Sequence, residues 1–340
     1  MVTLKNFTVF VKLCYNIFMP KEEILLTRNI QEIAIDNPRT INKKVAWVNV
    51  VNAGKKEIEY LRKKFGFQLT HLQQCSANVF TQRPAIHHYD GYIFAVLHFP
   101  IIIDHTVIVT EVDFFIGHGF LVTIHNGNLP ALTDFFSLCK KDGEGLLSYK
   151  LESSSILLYE LMDKLLNGCF PLLDQISLEI RRVQERIFQQ DSKKAVSEIL
   201  ALRHNVINFS TTMHSHKKII TKLMEMKSTL VSPKQLQECY KKLIDYSITI
   251  WEILENQKET IEILNSTNES LLNYRLSEIM KTLTVFSIIS FYLTFIAALF
   301  AMRTENMPIV NRPYAFWVIV GIMGVVAFSI IMIFKRKKWL

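Results

Sequence analysis

Between Lys234 and Met302 the chain runs for 69 residues without a proline or a glycine. Inside a helix glycine costs about 1 kcal/mol and proline about 3, so a stretch this long without either predicts one continuous helix. At 1.5 Å per residue it would reach roughly 100 Å, far beyond the helices of globular domains. The polar "NSTNES" (265–270) is the one place that invites a local interruption. The final 21 residues of the run, Thr282–Met302, carry no charge, and a second uncharged segment of 22 residues, Pro313–Phe334, follows a short link. Each covers about 30 Å, the thickness of a bilayer core. A single apolar helix of that length can also be the core of a soluble protein. Two in succession read as a membrane hairpin.

Charge supports that reading. Of the net +8, residues 281–340 hold +6, from seven basic residues against Glu305 alone. A basic excess gathered around apolar runs marks membrane topology, not a nucleic-acid footprint, so no nucleic-acid partner is expected. Lys281 flanks the first span and Lys335-Arg336-Lys337-Lys338 the second. The positive-inside bias places both in the cytoplasm, with a short external loop between them. The expected location is the cell (inner) membrane, multi-pass, with both termini cytoplasmic.

Ahead of the membrane the chain changes character twice. Residues 1–20 read as a poorly defined leader, since Lys12 interrupts the apolar stretch and no small-residue cleavage site follows. Residues 21–150 hold eight of the eleven glycines and the alternating runs "YIFAVLHFPIII" (92–103), "TVIVTEVDFFIG" (106–117) and "GFLVTIH" (119–125). These predict strands with turns between them, and "KKEIEYLRKKF" (55–65) a helix. This is a cytosolic α/β domain. Residues 151–232 read as a helical hairpin or stalk with a break near Gln190-Asp191-Ser192. Then come 233–302 as the long helix with the first span, 303–312 as the external loop, 313–334 as the second span and 335–340 as a basic tail. Five scattered cysteines without a CxxC pair suggest reduced thiols.

The faces of the long helix differ. Steps of three and four residues trace Glu252, Asn256, Glu259, Ile263, Ser266, Ser270, Asn273, Ser277, Met280, Thr284, Ser287, Phe291, Thr294, Ala298 and Ala301, polar or small at nearly every step. A second seam, Leu236, Tyr240, Leu243, Ser247, Ile250, Leu254, Gln257, Ile261, Leu264, Asn268 and Leu271, is largely apolar. One wet and one dry face at this period suit a bundle around a water-filled axis. Small residues and hydroxyls also serve dry helix packing in membranes. A polar seam of more than about ten turns favours the pore, and one chain has too few helices to enclose it. Oligomerisation is therefore expected.

The chain resembles the CorA family of magnesium and divalent-cation transporters from about residue 45 onward. The resemblance is carried by "RPAIHHYDGYIFAVLHFP" (83–100), "EVDFFIGHGFLVTIH" (111–125), "EIMKTLTVFSIISFYLTFIAALFAM" (278–302), "ENMP" (305–308) and "FKRKKWL" (334–340). It implies an α+β membrane protein: a homopentamer with a cytosolic funnel, long stalk helices, and two transmembrane helices per subunit, the first lining the pore. Where the family has Gly-Met-Asn at the outer end of that helix, this chain has Ala301-Met302-Arg303, with Glu305 two residues on. Ser277 and Ser266 stand where the family has a pore-facing Asn and Asp. Lys242 stands where it has an acid, with Asp245 kept. Gln73-Gln74 and His87-His88 stand where it often has acid pairs, and with Lys242 the two glutamines lead to the expectation that the soluble domain senses divalent cations poorly.

Arg303 cannot accept a hydrogen bond and is always charged. Five guanidinium groups about 6 Å from a divalent ion would repel it by roughly 7 kcal/mol even at water dielectric. Pairing with Glu305, or snorkelling of the side chain to the headgroups, relieves that. Three functions follow: passive flux of magnesium or another divalent cation, a pore of altered and even anion selectivity, or a non-conducting regulatory homologue. The residues expected to line the pore are Ser266, Ser270, Asn273, Ser277, Met280, Thr284, Ser287, Phe291 and Thr294, with Ala301, Met302, Arg303 and Glu305 at its mouth. The histidines of "HH" (87–88) and "HSH" (214–216) lack metal-site spacing and read as solvated surface groups. No phosphate-binding loop, dinucleotide fingerprint or nucleophile elbow is present, so neither an enzyme nor a cofactor is expected.

Overall fold

The structure, a computed structural model, describes residues 27–36, 44–76, 82–141, 154–188, 192–225, 233–302 and 314–337. The leader, Arg303, Glu305 and the external loop lie outside the described residues. Two compact units result, 1–183 with 198–261 and 184–197 with 262–340.

The first unit is built on a six-stranded sheet: β1 (Ile30–Asp36), β2 (Lys44–Val51), β3 (Ala85–Tyr89), β4 (Tyr92–Ile103), β5 (Thr106–Gly117) and β6 (Phe120–His125), in the order β1-β2-β6-β5-β4-β3. Only β2 and β6 run parallel. The strands from β3 to β6 are joined by two-residue turns that keep the register, as in Tyr89↔Tyr92, Ile103↔Thr106 and Gly117↔Phe120. Such turns need positive φ, which Gly91 takes at 92° without a Cβ penalty. Asp104 and His105 adopt φ of 49° and 62° in the β4–β5 turn. The carbonyl of His105 accepts a hydrogen bond from Asn205 Nδ2 at 2.7 Å.

Both faces of the sheet are covered. Helices α1 (Lys55–Phe65) and α2 (Leu69–Gln74) bury Leu61 and Leu72 with Val48, Val50, Phe94, Phe115 and Val122 on one side. On the other, Trp47 meets Phe135 and Phe136 of α3 (Pro130–Lys141) at 5.5 and 4.9 Å between ring centroids. Strand β4 is apolar along nearly its whole length because it is buried on both sides. The polar atoms beside Trp47 are paired: its Nε1–H donates to Thr123 Oγ1 (3.1 Å), and that hydroxyl donates to Asn49 Oδ1 (2.7 Å).

The rest of the chain is helical: α4 (Ser154–Asn167), α5 (Cys169–Phe188), α6 (Ser192–Met213), α7 (His216–Met224), α8 (Pro233–Ala301) and α9 (Ala315–Arg336). The helix α8 is uninterrupted over 69 residues, including "NSTNES". Its apolar seam is buried at every position from Leu236 to Asn268, and Leu271 is half-buried. Within the first unit two polar members of this seam donate to partners. Tyr240 donates its hydroxyl to the carbonyl of Ser155 (3.1 Å), and Gln257 Nε2 donates to Leu173 O and Ser177 Oγ, both at 2.9 Å. Each fully buried aliphatic on the seam contributes roughly 1.5–3 kcal/mol. Packing of this face therefore holds the upper part of α8 in place.

One expectation is corrected. His214 is exposed, but His216 is fully buried, with its ring edge-on to Phe99 at 5.1 Å. It opens α7 at the head of the buried stripe His216, Ile219, Ile220 and Leu223, so helical spacing carries it inward. Burial, with His98 nearby, pushes its pKa down to about 4 and keeps the ring neutral. Its contribution to stability is then complete above the ordinary histidine value and is lost as the pH falls toward 4. No disulfide joins the four described cysteines, and Cys75, Cys139 and Cys169 are buried.

Candidate functional site

In the second unit, α8 carries the wet seam through the stretch that is apolar enough to cross a membrane. Ser266, Ser270, Asn273, Ser277, Met280, Ser287, Phe291, Thr294, Ala298, Ala301 and Met302 are exposed, and Thr284 is half-buried. All but Met302, which closes the helix, lie on one face, as the spacing requires. The apolar segments of α8 and α9 are almost wholly unburied within the chain, unlike the core helices of a soluble protein.

Five of the six hydroxyls on this face spend their hydrogens inside the helix. Ser270, Thr284, Ser287 and Thr294 donate to the carbonyl four residues back at 2.9, 2.7, 2.8 and 2.7 Å. Ser266 donates to Ile263 O at 2.9 Å. A hydroxyl has one hydrogen and two lone pairs, so what each presents outward is an acceptor. Thr282, off the seam, bonds back to Glu278 O in the same way at 3.0 Å. The seam therefore differs from its flanks by its concentration of such groups, not by their geometry. Phe291 and Met280 interrupt it with apolar rings or chains, 65% and 59% exposed.

Charge marks the N-terminal end of the apolar stretch. Lys281 pairs with Glu278 at 2.7 Å where the uncharged stretch begins. At the other end, Met302 N–H reaches Leu299 O at 3.4 Å, after which α8 stops. The last carbonyls of a helix lack intrahelical partners and carry the negative end of its dipole. Ala301 and Met302 sit at that terminus.

The other singled-out positions are separate from this face. Gln73 and Gln74 are exposed at the end of α2, and His87 and His88 are exposed on β3. Lys242 pairs with Asp163 at 3.0 Å and lies 5.2 Å from the centroid of the Tyr246 ring. Among the described residues, no three His, Cys, Asp or Glu side chains gather closely enough to hold a metal by themselves. A cleft lined by Glu111 and Asp113 went unnoticed in the sequence. Its signal is an E-x-D pair on alternate residues of one strand, which shares a face.

The profile of the family described as CorA-like Mg2+ transporter protein matches residues 42–336. This chain belongs to the CorA-like Mg2+ transporter family. It is a membrane transporter of that family and not an enzyme. The cobalt/magnesium transport protein CorA of Methanocaldococcus jannaschii is 19% identical over 324 residues, 95% of this chain and 99% of that one. The cobalt/magnesium transport protein CorA of Thermotoga maritima is 29% identical over 184 residues, 54% of this chain and 52% of that one. The complete structure of the CorA magnesium transporter from M. jannaschii superposes with a TM-score of 0.80 at 18% identity, covering 93% of this chain and 100% of that chain. The CorA fold, with an N-terminal α/β domain, a long helix and two C-terminal apolar helices, is thus the fold of this chain.

Proposed function

We propose that the chain assembles as a homopentamer in the cell membrane and conducts magnesium, or another divalent cation, passively along an axis lined by the wet seam of α8. The observation that carries this is the inward use of the seam hydroxyls, which leaves acceptors facing the axis. A hydrated magnesium ion points its water hydrogens outward and matches a wall of acceptors. An anion requires donors, which these hydroxyls have already committed. Magnesium gives up its water shell reluctantly, so passage in the hydrated state suits a lining without carboxylates. Phe291 and Met280 would form apolar constrictions in such a pore, where dewetting can close it. The convergent C-termini of five α8 helices would place carbonyl dipoles at the mouth and offset part of the charge of Arg303. No cofactor enters this reading, and the partners are four further copies, the bilayer and the ions.

The lining is tested by substituted-cysteine accessibility in a background with the native cysteines replaced. Cysteine at Ser270, Ser277, Ser287 or Thr294 should react with a membrane-impermeant thiol reagent in reconstituted protein, and magnesium flux should fall as it does. Cysteine at Leu283 or Phe286, on the flanks, should react slowly without changing flux. Equal reactivity on seam and flank would rule out an axis along this face, as would a monomer or dimer as the main species in native mass measurement.

A further inference from the structure

The charge that follows the second span has no use in the pore lining. Lys335-Arg336-Lys337-Lys338 come directly after the uncharged stretch of α9. Lys335, Arg336 and Lys337 are exposed, and among the described residues no carboxylate pairs with them. The first span is different, because its flanking Lys281 is neutralised by Glu278 at 2.7 Å. Two successive crossings put both flanks on the same side of the bilayer. Membrane topology and the negative end of a helix both favour basic residues at such a place. Neither supplies the counter-ions that four successive like charges need.

The length of α9 sets the depth of this run. Tyr314 and Trp317 are exposed at its start, and Tyr and Trp rings settle at the membrane–water boundary. From Trp317 to Phe334 the chain is uncharged. At 1.5 Å per residue that stretch covers about 27 Å, close to the hydrocarbon thickness of roughly 30 Å. With the aromatic rings at one boundary, Lys335, Arg336 and Lys337 reach the headgroups of the opposite leaflet. Their long side chains extend the charge further toward water. In the pentamer proposed above, four charges per chain become twenty beside the ion pathway. A cation passing there is repelled unless anions screen that charge. This consequence rests on the proposed pore, whereas a lipid site needs only the two spans.

We infer that Lys335, Arg336, Lys337 and Lys338 bind the phosphate headgroups of anionic phospholipids of the phosphatidylglycerol type, in the leaflet on the side of Lys281. Arg336 can hold a phosphate through two parallel N–H donors, and the lysines act as point charges. A zwitterionic headgroup carries its own ammonium, which the same cluster repels. Each basic residue near an anionic surface strengthens attachment by about fivefold. Four together therefore discriminate between the two lipid classes, and salt weakens the preference.

The experiment uses the full chain reconstituted in phosphatidylcholine vesicles. Spin-labelled phosphatidylglycerol or spin-labelled phosphatidylcholine is the probe, and electron paramagnetic resonance measures the label immobilised at the protein. The parent should hold phosphatidylglycerol several-fold more strongly, and about 1 M KCl should remove most of that preference. Changing the whole run, Lys335→Gln, Arg336→Gln, Lys337→Gln and Lys338→Gln, should bring phosphatidylglycerol down to the level of phosphatidylcholine. Should that variant fail to insert, Lys337→Gln with Lys338→Gln decides, since it keeps Lys335 and Arg336 as topology signals and should still lose a large part of the preference. Inorganic phosphate should displace the lipid no better than chloride at equal ionic strength. A parent without preference, the same preference in parent and inserted variants, or displacement specific to inorganic phosphate would overturn the assignment, whatever the magnesium flux proves to be.

Discussion

Arg303→Asn combined with Ala301→Gly is expected to raise magnesium entry into liposomes by more than tenfold. The pair restores an uncharged amide and a close backbone where α8 ends and water begins. If five guanidinium groups face the axis, the change removes roughly 7 kcal/mol of repulsion on a divalent ion. Taken whole, that would be about five orders of magnitude in rate at 1.36 kcal/mol per decade. Salt screening and the negative helix termini consume much of it, so the expected gain is far smaller. Snorkelling side chains predict a different outcome: the guanidinium lies at the headgroups, and the axis sees only the backbone of Ala301 and Met302. Equal flux in parent and variant, both folded and pentameric, removes Arg303 from the mechanism.

Thr294→Lys should abolish magnesium flux while leaving the assembly intact. Thr294 lies on the seam within the uncharged stretch, and its hydroxyl is bonded back to Ser290 O. Lysine there would put five ammonium groups around a confined axis, where even water dielectric gives several kcal/mol against a divalent ion. A water-filled axis tolerates the charge because the ammonium stays hydrated. A dry helix interface does not, since a buried unpaired ammonium costs far more than packing returns. Loss of the pentamer in Thr294→Lys would therefore identify this face as packing, not pore. A variant that remains pentameric and begins to pass chloride would show the same axis with its preference inverted.

Much of this architecture was legible in the residues. The absence of glycine and proline from Lys234 to Met302 announced α8, and neither Ser266 nor Asn268 within "NSTNES" breaks it, because tertiary burial of Leu264 and Asn268 overrides weak local propensity. The strand limits at Ile103, Thr106 and Gly117 followed from two-residue turns, which leave no slack in register. The separation of wet and dry seams followed from period alone.

What escaped was what depends on position in three dimensions. His216 looked like a surface residue beside His214, but it heads a buried stripe. Glu111 and Asp113 are two residues within a strand run, and only the fold brings Asn52, Ser76 and Asn126 to the same cleft. The acids that the resemblance led one to seek at 73, 74 and 242 are absent from the sequence.

The central claim, a cation-conducting pore lined by α8, is tested most directly by ion flux through the purified parent protein in sealed liposomes. With an inside-negative potential and an internal magnesium-sensitive dye, the account predicts magnesium uptake that saturates, stops when the potential is reversed, and has no accompanying chloride movement. Chloride flux without magnesium flux, or no flux of either from a correctly folded pentamer, would contradict it.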